Sequence, residues 1–338
     1  MKWRNKNNKY HYIYIFLIIL IGVFFLSFAI GRYPISVDLL FKVILSKIFP
    51  ISKSWSDTIE TVIFQIRLPR IIGAILVGAA LSVSGAVYQG MFKNPLVSPD
   101  ILGVSSGAAF GAALAIFLSF NRVGIQITSF IFGLFAVSLV YTISTKVKED
   151  PILSLVITGV LVGSIFTSLT SLIKYLADTE NKLPTITFWL MGSIASISQR
   201  DLKVVAIPII SGMIPLFILR WRLNVLSLNE DEAKTLGLDT DKIRLIVVIC
   251  STLMTAAAVS VSGMIGWIGL VIPHLGRMLV GPDYEVLLPA SILLGGTYLL
   301  LIDNIARALT TVEIPLGILT SLVGAPFFLF LLLKSKRS

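Results

Sequence analysis

The sequence predicts an all-α polytopic membrane protein with about ten transmembrane helices. Hydrophobic residues make up 56% of the chain and charged residues only 14%, against about 25% charged in soluble domains. Mean hydropathy is +0.91, and apolar runs of spanning length recur between short polar connections. At about 20 residues per crossing, 338 residues hold about ten spans and no separate soluble unit, so 1–338 reads as one transmembrane domain.

The net charge of +10 is dispersed over short loops and both tails. That pattern fits basic residues flanking spans better than a phosphate-binding face, so no nucleic-acid partner is expected. Cys250 is the single cysteine, which excludes an intrachain disulfide and a cysteine-based metal site, and it reads as a packing residue.

The first span is expected at 12–31, behind Lys2, Arg4, Lys6 and Lys9. It is too long for a signal-peptide core, and Gly31-Arg32-Tyr33-Pro34 makes a poor cleavage site. Residues 32–66 form the longest outer segment, with an amphipathic surface helix near 36–49 (Val37, Leu40, Phe41, Ile44, Ile48). Spans follow at 67–89, 101–120, 124–144 and 152–173, with an inner loop Lys146-Val147-Lys148-Glu149-Asp150-Pro151 between the last two. The apolar piece 186–197 is too short to cross and reads as an outer-surface helix with Trp189 at the headgroups. The remaining spans are expected at 203–220, 245–264, 266–281, 287–306 and 315–333. The eighth is short and carries Pro273, His274 and Arg277, but parity supports it. Both tails are basic, so both termini belong in the cytoplasm and the number of crossings is even.

Ser82-Val83-Ser84-Gly85 recurs as Ser260-Val261-Ser262-Gly263, and Pro95 meets Pro273 at the same offset. Five spans separate the copies, the arrangement of an inverted repeat. Gly103, Gly107 and Gly111 are spaced by four and predict a close-packing face, with Gly159 and Gly163 repeating the device in the fifth span. Gly103-Val104-Ser105-Ser106-Gly107 also matches G-x-S-x-G, which with His274 raises an intramembrane serine hydrolase. That motif needs a strand-turn-helix setting, and the apolar flanks offer none.

Arg67 and Arg70 stand at the outer mouth of the second span and Arg307 at the outer end of the ninth, against the positive-inside trend. Charge alone leaves two readings open: docking of an acidic partner, or snorkelling and an Asp303–Arg307 i,i+4 pair. Residues 226–240 form the most polar inner loop. Asn229 with Glu232 can cap a short helix, Glu230 and Asp231 suit its positive end, and Gly237 suits a left-handed stop. Such a helix can insert into a cleft on another protein. No P-loop is present, and no charge lies convincingly at the centre of a span. A pore subunit powered by a separate protein is favoured over an ion-coupled secondary transporter, which remains the alternative.

RLPR (67–70), the Gly78–Gly90 segment GAALSVSGAVYQG and NPLVSPDILGVSSGAAFGAA (94–113) resemble the iron-siderophore, haem and cobalamin permease family of ABC importers (FecCD/BtuC-like). FWLMGSI (188–194), AKTLGL (233–238), GWIGLVIPHLGRMLVGPD (266–283), LLPAS (287–291) and EIPLGILTSLVGAPFFLFLL (313–332) extend the resemblance over nearly the whole chain. It implies a ten-span permease of the cell membrane, paired as a homodimer or heterodimer around a translocation path. Two cytoplasmic ATPase subunits would bind ATP and Mg, leaving no cofactor, catalytic residue or metal site here. An extracytoplasmic substrate-binding lipoprotein would deliver the cargo, an iron chelate such as a ferric siderophore, or else haem or cobalamin. The resemblance assigns Arg67, Arg70 and Arg307 to docking that protein. It assigns Asp231, Glu232, Ala233, Lys234, Leu236 and Gly237 to coupling with the ATPase.

Overall fold

The structure is a computed structural model describing residues 6–335 except 32, 34, 48, 51, 148–149 and 229. Of the positions read in the sequence, Lys2, Arg4, Arg32, Pro34, Ile48, Lys148, Glu149, Asn229, Lys336 and Arg337 lie outside the described residues.

The helices in chain order are α1 (Lys6–Ala29), α2 (Val37–Leu45), α3 (Asp57–Met91), α4 (Val104–Phe117), α5 (Arg122–Ser144), α6 (Pro151–Leu176) and α7 (Lys182–Leu190). They continue with α8 (Gln199–Ile218), α9 (Arg220–Leu226), α10 (Glu230–Thr235), α11 (Thr240–Ser262), α12 (Ile268–Val280), α13 (Tyr284–Ala308) and α14 (Leu316–Ser335). Among the described residues, seven (α1, α3, α5, α6, α8, α11, α13) have the length and apolarity to cross a membrane, while α4, α12 and the apolar part of α14 are shorter. Together they make the ten apolar helices that composition called for.

Small residues decide which helices sit at the centre. α3 carries Gly73, Ala74, Gly78, Ala79, Ala80, Ser82, Ser84, Gly85 and Ala86, and α11 carries Ser251, Thr255 and Ala256–Ala258, all buried. Without bulky side chains, backbones approach to van der Waals distance, which replaces the hydrophobic drive that lipid cannot supply. The apolar spanning windows of α3 and α11 are accordingly 83% and 78% buried, against 17% for α1 and 28% for α8. Ser84 Oγ donates to the Ser251 carbonyl at 3.3 Å, and the Tyr88 hydroxyl lies 3.4 Å from Thr252 Oγ1 across the same contact. On the other side α3 meets α13 so closely that a Cβ on Gly78 or Gly295 would run into the other's carbonyl oxygen.

Several boundaries differ from expectation. α3 begins at Asp57, ten residues before the expected span, because a π-helical turn at Val62–Arg67 carries the helix through the polar Gln65 and Arg67. The surface helix expected at 186–197 runs instead from Lys182 to Leu190. Gly192, at φ +77°, ends it, and the following backbone is tied down: Ser193 N donates to Ser262 O at 2.7 Å and Leu316 N to Gly192 O at 2.9 Å. α2 is amphipathic as expected, but Leu40 and Val43 are its buried pair while Phe41 is exposed. The Ser-Val-Ser-Gly echo does not mark equivalent places. Gly85 lies inside α3, whereas Gly263 ends α11 at φ +66°, and Pro95 lies in a turn while Pro273 lies inside α12.

Candidate functional site

Three places gather the residues that sequence reasoning singled out. The first lies at the end of the bundle where α1 finishes. α1 has no basic residue in its last turn, and its final carbonyls lack partners within the helix. Arg67 and Arg307 supply them: Arg67 donates to Phe28 O and, at 2.5 Å, to Tyr33 O, while Arg307 donates to Ser27 O at 3.2 Å and Ile30 O at 3.1 Å. Cations there also complement the negative end of the helix dipole. Arg70, one turn further along α3, grips Asp303 through Nε (2.9 Å) and Nη2 (2.8 Å) and Glu313 through Nη1 and Nη2 (2.8 Å each). Arg307 Nε lies 3.2 Å from the other Asp303 oxygen, and Asn304 joins Arg307 to Ser27.

The three arginines are engaged within the chain rather than presented freely. Arg67, Arg70 and Arg307 are only 4%, 6% and 7% exposed, and Asp303 is fully buried. The i,i+4 pair weighed as an alternative is present, extended by Arg70 into a network joining α1, α3 and α13. Arg70 and Arg307 meet carboxylates, while Arg67 is held by backbone carbonyls.

The second place lies at the opposite end. The α9 side chain Asn224 donates to Asp283 at 2.9 Å and accepts from Tyr284 N at 2.9 Å, fastening α9 to the start of α13. α10 follows, short as expected. Gly237 takes φ +76°, Gly237 N donates to Lys234 O (2.9 Å) and Leu238 N to Ala233 O (3.1 Å), the paired bonds of a Schellman stop. Ala233 packs inward at 1% exposure, while Asp231, Glu232, Lys234 and Leu236 face outward. A Cβ on Gly237 would meet nothing within 4 Å, so its surface is open to an incoming body. Asp239 caps α11 by accepting from Lys242 N at 3.1 Å. The Lys242 ammonium, 2.8 Å away, holds that carboxyl below its usual range.

The third place is the glycine seam, which divides rather than forming one face. Gly103 is not helical. At φ +75° it starts α4 after a 3-10 turn at Pro99–Leu102, and a Cβ there would lie 3.3 Å from the Gly163 backbone on α6. Gly107 and Gly111 turn the other way, onto the Phe132 and Thr128 carbonyls of α5, and Gly159 meets Ile101 O. Four-residue spacing could not reveal this, because a left-handed residue breaks the helical register between 103 and 107. Ser105 donates to Asp100, and His274 packs edge-on to Phe328 with centroids 6.0 Å apart. The hydrolase pairing is therefore absent among the described residues.

Beside the seam lies a feature the sequence reading missed. Ser164, Thr167, Ser168 and Ser171 on α6 recur at i, i+3, i+4 and i+7, and all are exposed. Three of them line a groove of about 510 Å³ with Ser98, Asp100 and Ser106. The signal was available as a polar stripe inside an apolar run, but hydroxyls that bond back to their own helix are tolerated in lipid. Only the groove distinguishes this stripe from that ordinary case.

A multi-span helical membrane permease is the class this architecture defines, and comparison with known proteins places it more closely. Residues 18–334 match the FecCD transport family, and the chain belongs to that family of ABC transporter permeases. The molybdate import system permease protein MolB of Haemophilus influenzae is 46% identical over 313 residues, 92% of each chain. A Helicobacter pylori protein bearing the name of an iron chelatin transport system permease is 42% identical over 280 residues, 83% of this chain and 85% of that one. A solved metal-chelate type ABC transporter in an inward-facing conformation superposes with a TM-score of 0.87 at 43% identity, covering 96% of this chain and 99% of that one.

Proposed function

We propose that this chain is the membrane subunit of a binding-protein-dependent ABC importer that carries a ferric chelate into the cytoplasm. The observation that carries the reading is the hydroxyl face of α6 at mid-helix, open to a groove. Lipid has no use for it, whereas a second copy, or a related subunit, turned to face it would enclose a polar path without strong ligands. Such a path passes a bulky, pre-chelated metal without trapping it. Both termini and α10 lie in the cytoplasm. There α10 sits in a cleft of a separate ATPase, which alone binds ATP and Mg. The binding protein delivers cargo at the arginine end, whose network holds the shape of the docking surface from beneath. ATP-driven closure of the ATPase pair moves α10, and alternating access follows.

Replacing Thr167 and Ser168 together by leucine should abolish uptake in proteoliposomes containing the ATPase and binding protein, while the complex still assembles. Undiminished uptake would remove α6 from the path. A second cargo, molybdate, is favoured by the 46% identity to MolB. Competition of labelled ferric siderophore and labelled molybdate for the same vesicles separates the two.

A further inference from the structure

A second groove, remote from the α6 face, opens between α5, α8 and α11 with a volume of about 500 Å³. Its walls are apolar, among them Ile127, Phe130, Val204 and Ile207, and its outward side is formed by exposed side chains: Val204 is 61% exposed and Ile207 71%. Towards the bundle end it continues into a smaller hollow of about 320 Å³, where Arg122, Thr185, Ser193 and Ser196 stand among Ile125, Phe188 and Trp189. The two share Gln126, Ser260 and Val261, so they form one continuous site with its polar groups gathered towards the bundle end.

Charge decides where an anion fits. Asp201, the only acid lining either hollow, is already neutralised: Arg122 donates to it at 2.6 Å, Gln126 at 3.0 Å, and the Ser198 N–H and hydroxyl at 2.8 and 2.7 Å. Arg200, exposed on the rim, has no carboxylate partner among the described residues. Cationic side chains at span ends reach for lipid phosphates, and basic hollows between membrane helices hold anionic headgroups.

We propose that this site binds one anionic phospholipid, its acyl chain in the α5–α8–α11 groove and its phosphate on Arg200. The site lies on the lipid-facing flank, so the lipid braces α8 against α11 without entering the transport path.

The test uses the full-length chain in nanodiscs of phosphatidylglycerol and phosphatidylcholine, released into the gas phase for native mass spectrometry. Wild type should retain one phosphatidylglycerol above the annular background. Arg200→Gln should lower that retention at least fivefold and erase the preference over phosphatidylcholine. Ser211→Phe, which fills the groove from an exposed lining position, should lower retention of both lipids. Equal retention by wild type and Arg200→Gln overturns the proposal, as does a wild-type chain that keeps only detergent or no lipid.

Discussion

Asp303→Asn is the most informative single change in the arginine network. The wild-type carboxylate is fully buried, takes two bonds from Arg70 Nε and Nη2, and lies 3.2 Å from Arg307 Nε. Asparagine keeps the volume but removes the charge, leaving Arg70 with Glu313 and taking from Arg307 its nearby carboxylate. Removing one partner of a buried pair costs about 3–5 kcal/mol, because the remaining charge is left uncompensated in a low-dielectric site. Arg70 keeps its fork on Glu313, which argues for the lower half of that range. Thermal unfolding of the purified chain in lipid nanodiscs should show a midpoint roughly 5 °C or more below wild type. A midpoint within about 1 °C of wild type for Asp303→Asn would refute the claim that this network holds α1, α3 and α13 together.

Further perturbations probe the other contacts. Gly295→Leu drives a side chain into the Gly78 carbonyl across the α3–α13 seam, an overpacking worth about 3 kcal/mol or more, so size-exclusion chromatography should show little folded protein. Gly237→Val meets no neighbour but strains a left-handed residue by about 1–2 kcal/mol. It should leave the bundle's melting unchanged while lowering transport-coupled ATP hydrolysis, and full hydrolysis would release α10 from its coupling role. Asn224→Ala removes both bonds between α9 and the start of α13, costing about 1–3 kcal/mol. Hydrogen exchange should rise at Asp283–Val286, and unchanged exchange would place that tie elsewhere.

The sequence made the helical bundle legible because apolar length and small-residue density are local properties. A short apolar helix stands where the eighth span was expected, and the Gly237 stop was recoverable from local turn chemistry. What escaped were partnerships across the fold. Nothing near Arg67 in sequence shows that the carbonyls ending α1, almost forty residues earlier, need donors, so its cation looked available for docking. Glu313 likewise lies 243 positions from Arg70. The glycine spacing misled for a different reason: periodicity assumes continuous helix, and the positive φ of Gly103 turns one presumed face into two contacts. The start of α3 was missed because residues 57–66, with Asp57, Glu60 and Gln65, read as outer segment, while a π-helical turn at Val62–Arg67 carries the helix on from them.

Under the proposed function this chain forms a passive path whose energy enters through α10 from another protein. Proteoliposomes carrying the chain with its ATPase, loaded from outside with the binding protein and a labelled ferric chelate, test it most directly. Uptake should require ATP, persist when ion gradients are collapsed, and vanish when the ATPase is omitted. Uptake by the chain alone, driven by a proton or sodium gradient, would contradict it.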